Sequence, residues 1–306
     1  MTIREGNPES SNPLGIDGIE FVEFATSQPQ ALGNLLQMMG FVPVARHRSR
    51  EVTLYRQGGM NLIVNAHPNA LPGMASPDAV PALSAMALRV RDSAYAWQHA
   101  IDMGAWEQTP RVSAMELNIP GIHGVGDTLI YFVDRYRDFS IYDVDFVPIP
   151  GAERHPPALA GLHYFGLVQS VSADRSDDWI DFYRRLFGFS VLPEGQYFGV
   201  LPKGTLLESP CHSFYLQLIE PPPGADDIVW EESLVRIGLG TPDVLAAVRA
   251  LQSRGVAFID HKSVQPTDKG ALTQVYLGGV TFELVVSHLQ PPTLAAPAGA
   301  ATEQRP

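Results

Sequence analysis

Glu283 is a lone carboxylate in the otherwise apolar run Thr281, Phe282, Glu283, Leu284, Val285, Val286. Side chains alternate along a strand, so Thr281, Glu283 and Val285 share one face. An ionised acid buried without a partner is strongly disfavoured. Three readings of Glu283 therefore stand. Its face opens on a wet cavity, or it has a partner (a metal, His163 or Arg236), or it faces solvent. Arg236 poses the same question in the run Leu234, Val235, Arg236, Ile237, Gly238, Leu239. Val235, Ile237 and Leu239 take one face and leave Arg236 on the other with Gly238 and Gly240. A guanidinium there can pair with Glu283. A surface arginine is the plainer alternative.

Other chemistry is largely absent. The chain has one cysteine, Cys211, which excludes an internal disulfide, a thiolate zinc cluster and an iron–sulfur site. His212 follows it, but neighbours on an extended strand point opposite ways and are not expected to chelate one ion. His123 and His261 have no ligand spacing between them. No phosphate loop, nucleophile elbow or dinucleotide fingerprint is present.

These residues need a scaffold, and the chain is long enough to supply one. It has 306 residues, room for two domains with full cores. Its net charge is −12 and it has no basic run, so nucleic acid is not an expected partner. No apolar run is long enough to span a membrane. The first twelve residues carry no apolar core, so no signal peptide is read there, and a cytoplasmic location is the expectation. A homodimer is expected only because homo-oligomers are common.

Proline and glycine divide the chain. Residues 1–12 and 290–306 read as disordered tails. Residues 151–159 read as a linker, placing domains at 13–150 and 160–289. Within them a unit recurs four times: an apolar strand, an amphipathic helix, then more strands. The helix faces are Leu32, Leu35, Leu36 and Met39, then Ala94, Trp97 and Ile101, then Trp179, Phe182, Tyr183, Leu186 and Phe187, and last Val244, Val248 and Leu251. Gly40, Gly104, Gly188 and Gly255 stand where each helix should stop. Further strands are expected at 52–55, 61–65, 128–133, 213–219, 272–276 and 281–286.

Four such βαβββ modules in two pairs resemble the vicinal-oxygen-chelate superfamily, an α+β fold in which each pair forms a half-open barrel. Within it, the chain resembles the 4-hydroxyphenylpyruvate dioxygenases. The likeness lies in Asn12, Pro13, Leu14 and Gly15 with the run from Ile19 to Ala25, and in His47, Arg48 and Ser49 with Leu54, Tyr55, Arg56, Gln57 and Gly58. It continues through Glu116, Leu117, Asn118, Ile119 and Pro120 and through Ser140, Ile141, Tyr142, Asp143, Val144, Asp145 and Phe146. It is dense in the first half and thinner in the second.

The resemblance implies a structural first domain and a second domain holding Fe(II) on two histidines and a glutamate, a pattern that leaves room for a 2-oxo acid and dioxygen. His163 falls at the first ligand position and Glu283 at the third. Arg236 falls at the second, and a guanidinium offers only donors. Pro202 and Ile219 fall where the family holds its substrate with a serine and an asparagine. Gln274 falls at a substrate-side position that survives. No counterpart of the family's closing helix is read after His288. Glyoxalase-like members of the superfamily imply a further ligand position at Gln217.

Three functions follow as expectations. One is an Fe(II) dioxygenase acting on an aromatic 2-oxo acid. A second is a metal-free descendant that binds a small anion or a partner protein. A third is a different reaction, a lyase or isomerase, on a divalent metal held by His163, Gln217 and Glu283.

Overall fold

The computed structural model describes residues 11–289 apart from 69, 72, 73, 75, 110–116, 138, 202, 203, 223, 225–229, 262 and 263. Of the tails expected at 1–12 and 290–306, residues 1–10 and 290–306 lie outside the described residues. Asn12 departs from that expectation: its side chain donates to the Ile16 carbonyl at 2.9 Å and accepts from the Ile16 N–H at 2.8 Å, which ties it to the start of the first domain.

The first half opens with β1 (Ile19–Ala25), α1 (Pro29–Met38), β2 (Val42–His47), β3 (Val52–Gln57) and β4 (Met60–Asn65). Then come β5 (Ala82–Arg89), α2 (Ser93–Asp102), β6 (Gly121–His123), β7 (Leu129–Val133), α3 (Ile141–Asp145) and β8 (Phe146–Pro148). The second half repeats the plan with β9 (His163–Ser170), α4 (Ser176–Phe187), β10 (Ser190–Val191), β11 (Thr205–Glu208) and β12 (Tyr215–Ile219). It ends with β13 (Ser233–Thr241), α5 (Val244–Gln252), β14 (Gly270–Leu272) and β15 (Phe282–Val286).

The pairing repeats as well. β1 runs antiparallel to β5 and parallel to β4, and β5 runs parallel to β7. In the second half β9 runs antiparallel to β13 and parallel to β12, and β13 runs parallel to β15. This mixed sheet with helices on its outside is the two-domain vicinal-oxygen-chelate fold. No helix among the described residues is long and apolar enough to cross a membrane.

Local chemistry sets the helices. Pro29 starts α1, where its missing N–H costs nothing. Asp92 and Asp243 cap α2 and α5 by accepting from the N–H groups of Tyr95 and Ala246. α4 carries Asp177 and Asp178 in its first turn and Arg184 and Arg185 in its last, complementing the helix dipole. All four expected stop glycines have positive φ. One helix face differs from expectation. Ala94 is exposed, and α2 buries Ala96 and Ala100 instead, with Trp97 and Ile101 partly buried. The strand expected at 272–276 ends at Leu272, because the pairing beyond it changes partner: Thr273 bridges Phe258 and Tyr276 bridges Val280 across the turn at Leu277 and Gly278.

One apolar core runs through both halves. Phe132 packs on Phe187 at 6.2 Å and Phe24 on Phe282 at 6.5 Å between ring centres. Each fully buried aromatic of this kind contributes roughly 1.5–3 kcal/mol. The Tyr164 hydroxyl donates to the Asn61 carbonyl across the same junction. β13 also pairs with β5 through Leu234 and Leu83. At Gly126 the backbone is left-handed, and a Cβ would overlap the Glu232 carbonyl oxygen, so only glycine fits this contact. Separate clusters fill the two barrel interiors. One is built around Phe21, Leu54 and Tyr142, the other around Phe165, Tyr215 and Val285.

Candidate functional site

The second barrel's inner face follows from strand register. Arg236, Gly238 and Gly240 alternate along β13. Val168, Gly166 and His163 of β9 lie opposite them in that order. Gly238 also faces Glu283 of β15. Gln217 of β12 lies beside Val168, and Tyr215 beside Gly166. Glu208 of β11 lies beside Tyr215. Residues in direct register share a face, so His163, Gln217, Arg236 and Glu283 belong to one surface.

On that surface Arg236 and Glu283 meet. Arg236 Nε lies 3.2 Å from Glu283 Oε2, with both side chains largely buried at 12% and 6% exposed. The N–H is not aimed at that oxygen, so the contact is an ion pair without a hydrogen bond, and Nε has no other partner. The second carboxylate oxygen, Oε1, accepts from the Val200 N–H at 3.1 Å. Burial pushes the Glu283 carboxyl up, against the Arg236 charge and the Val200 and Leu201 N–H groups. Gly199 permits this approach, since a Cβ there would run into Oε1.

His163 is buried and engaged on both sides. Nδ1 lies 3.0 Å from the Gly161 carbonyl oxygen, which can only accept, so Nδ1 carries the proton. Nε2 then accepts from the Ser287 hydroxyl at 2.7 Å. Burial favours the neutral ring and pushes the imidazole pKa down, against the Gly161 hydrogen bond, which favours the protonated ring. Gly240 makes room for this ring, because a Cβ would collide with Nε2.

Further polar and aromatic groups stand on the same face. The Tyr215 hydroxyl donates to Glu208 Oε1 at 3.3 Å and lies 2.9 Å from His288 Nε2. Burial and the Glu208 charge push its pKa up to about 12. Phe165, Phe198, Tyr215 and His288 pack ring on ring, with centres 4.8–6.1 Å apart.

The other expected positions among the described residues stand apart from the Arg236–Glu283 pair, Gln217 on the same surface. Gln217 is partly buried, two strands from Arg236 across Val168. Gln274 is exposed just beyond β14. Ile219 ends β12, where its carbonyl accepts from Val171 N–H. Pro202 lies outside the described residues. His212 is in a turn at φ +56°, not on an extended strand, and its Nδ1 is 3.2 Å from Glu208 Oε2. A small cavity of about 80 Å³ lies elsewhere, in the first half, against Asn118, Asp134 and Arg135.

The metal that the resemblance implies can be tested against this donor set. A divalent cation needs free lone pairs. His163 Nε2 spends its lone pair on Ser287, Glu283 faces Arg236 and Val200, and Arg236 offers only N–H groups. No group of three or more His, Cys, Asp or Glu suited to a metal occurs among the described residues. The residues as arranged do not fit the ion.

Ser287, Val200 and Phe198 were not singled out from the sequence. Their partners sit on other strands, and only Gly199 marks the close approach.

Comparison with known proteins agrees with the architecture. A family profile described as hydroxyphenylpyruvate dioxygenase, HPPD, N-terminal matches residues 10–147. A second, the glyoxalase/bleomycin resistance protein/dioxygenase superfamily, matches residues 162–276. Hemolysin VllY of Vibrio vulnificus is 37% identical over 82% of this chain and 74% of its own length. The 4-hydroxyphenylpyruvate dioxygenase of Pseudomonas aeruginosa is 35% identical over 82% of this chain and 73% of its own. A solved xylose isomerase-like TIM barrel/4-hydroxyphenylpyruvate dioxygenase fusion protein superposes with a TM-score of 0.70 at 25% identity. That match covers 94% of this chain and 51% of the fusion protein. By fold, profile and relatives, the chain belongs to the 4-hydroxyphenylpyruvate dioxygenase family.

Proposed function

We propose that this chain is a metal-independent member of its family that binds a small organic anion, with Arg236 as the group that receives it. The observation behind this is the buried Arg236–Glu283 pair at 3.2 Å with an unspent Nε–H. A guanidinium matches a carboxylate's geometry with two parallel donors. It supplies fixed positive charge at the position that the family resemblance assigns to a metal ligand. Glu283 balances that charge while no ligand is present.

The test uses protein purified from an iron-replete culture. Expected are well under one equivalent of iron, no dioxygen uptake with 4-hydroxyphenylpyruvate, and calorimetric binding of pyruvate or benzoate that Arg236→Ala abolishes. One iron per chain together with dioxygen uptake would overturn the proposal.

The second reading is Fe(II)-dependent oxidation of an aromatic 2-oxo acid. It is favoured by relatives named 4-hydroxyphenylpyruvate dioxygenase and by His163 and Glu283 sharing one barrel face. A lyase or isomerase on His163, Gln217 and Glu283 would likewise declare itself by stoichiometric metal.

A further inference from the structure

The chain between β10 and β11 makes an unusual excursion. Over its described positions, residues 192–204 form no regular element. Leu192 N–H donates to the Leu206 carbonyl at the base, and Gln196 N–H to the Pro193 carbonyl in a turn at the tip. The tip is exposed, and Gly195 has nothing within 4 Å of where a Cβ would stand. From there the chain dives back into the barrel mouth. The Phe198 ring packs 4.8 Å from Tyr215, 5.0 Å from Phe165 and 5.6 Å from His288. Two residues on, Val200 N–H holds Glu283 Oε1 at 3.1 Å. Gly199 lies between them, pressed against Glu283 on one side and Gly270 on the other.

The segment thus occupies the site with two devices of its own. One is an aromatic ring seated among the barrel's rings. The other is a backbone N–H on the carboxylate that balances Arg236. Neither belongs to a strand ladder, so both can be released without unpairing the sheet. Segments with few buried contacts open locally well before a domain unfolds.

We infer that residues 193–201 form a gate over the Arg236–Glu283 site, closed in this structure. An anion reaches Arg236 when Phe198 leaves its ring cluster and Val200 releases Glu283. The gate rests on the reading of Arg236 as an anion receptor, and its ligand class is a small carboxylate.

Hydrogen exchange with mass spectrometry on the full chain tests it without relying on the ligand alone. In the free protein, the peptide carrying Val200 is expected to exchange roughly 100-fold faster than peptides from β9 and β13. Phe198→Ala should speed it by about tenfold, the worth of a good aromatic contact. Gly199→Ala, which keeps the ring but crowds Glu283, should also speed it. Saturating benzoate should speed the wild-type peptide further, because the ligand displaces the segment. Exchange at Val200 as slow as at Leu216 in β12 would overturn the gate. So would benzoate binding that leaves the Val200 peptide unchanged, and that result would leave the Arg236 reading intact. Calorimetric binding insensitive to Arg236→Ala would instead sink the anion reading, and the gate with it.

Discussion

Arg236 and Glu283 stand on the directly paired strands β13 and β15, two register positions apart, and meet as a buried ion pair at 3.2 Å. Each would be costly to bury alone. Together they form the electrostatic centre of the second barrel, and several consequences can be measured.

Breaking the pair from one side should destabilise the protein. Glu283→Ala leaves Arg236 buried without its counter-charge, and the expected loss is about 3 kcal/mol in urea unfolding. The double change Arg236→Met with Glu283→Leu should recover most of that loss, since apolar side chains replace a buried pair at little net cost. A single-variant loss below about 0.5 kcal/mol, the level of an exposed pair, would mean that the contact is surface-like.

Placing a histidine at position 236 should not by itself recruit iron. Ser287 still caps His163 Nε2, and Val200 still holds Glu283. Metal analysis is expected to find substoichiometric iron in Arg236→His and more in Arg236→His combined with Ser287→Ala. Full iron loading of the single variant would show that the Ser287 contact is no obstacle.

The first barrel makes a pH prediction. Glu23 is pushed above the 4.5 of an ordinary glutamate by burial, against hydrogen bonds from Ser84 and Asn65. The folded state therefore binds this proton more tightly than the unfolded state. Stability conferred by that protonation is present at and below pH 4.5 and is lost as pH rises through the folded pKa. Both hydrogen bonds go to Oε1, so the amide oxygen of a glutamine can keep them. Glu23→Gln should flatten the decline above pH 4.5 and match or exceed wild-type stability at pH 7. Parallel pH–stability curves for the two proteins would refute the assignment.

Gly126 should be far less tolerant than Gly104. Both are left-handed, but Gly104 faces open space while a Cβ on Gly126 would overlap the Glu232 carbonyl of the other half. Gly104→Ala is expected to cost about 1 kcal/mol, the conformational penalty alone. Gly126→Ala adds backbone displacement and should cost about 3 kcal/mol. Thermal unfolding followed by far-ultraviolet dichroism and by tryptophan fluorescence should shift together, because the halves share a core. Separate transitions for the two probes would argue against that shared core.

Much of the fold was legible in the residues. Apolar spacing at three and four marks the faces of α1, α4 and α5 because a helix repeats every 3.6 residues. It failed at Ala94, where tertiary packing chose the Ala96 and Ala100 stripe. The strand expected to Tyr276 ends at Leu272, because Thr273 and Tyr276 pair with different partners, Phe258 and Val280, which only the tertiary arrangement supplies. Two-residue alternation placed Glu283 and Arg236 on faces of their own strands, and register made those faces one surface.

The candidate site divides along the same line. That Glu283 needs a partner, and that Arg236 is chemically able to be one, follows from their types and their apolar neighbours, since unpaired buried charge is so costly. Which partner each takes is decided only in three dimensions. Ser287 is 124 residues from His163, Val200 is 83 residues from Glu283, and Phe198 reaches the barrel through an irregular segment. Periodicity is a local signal and carries no information about contacts across such separations. The strand order β12, β9, β13, β15 and its register set His163, Arg236 and Glu283 on one surface, and the chain outside those strands brings Ser287, Val200 and Phe198 to it.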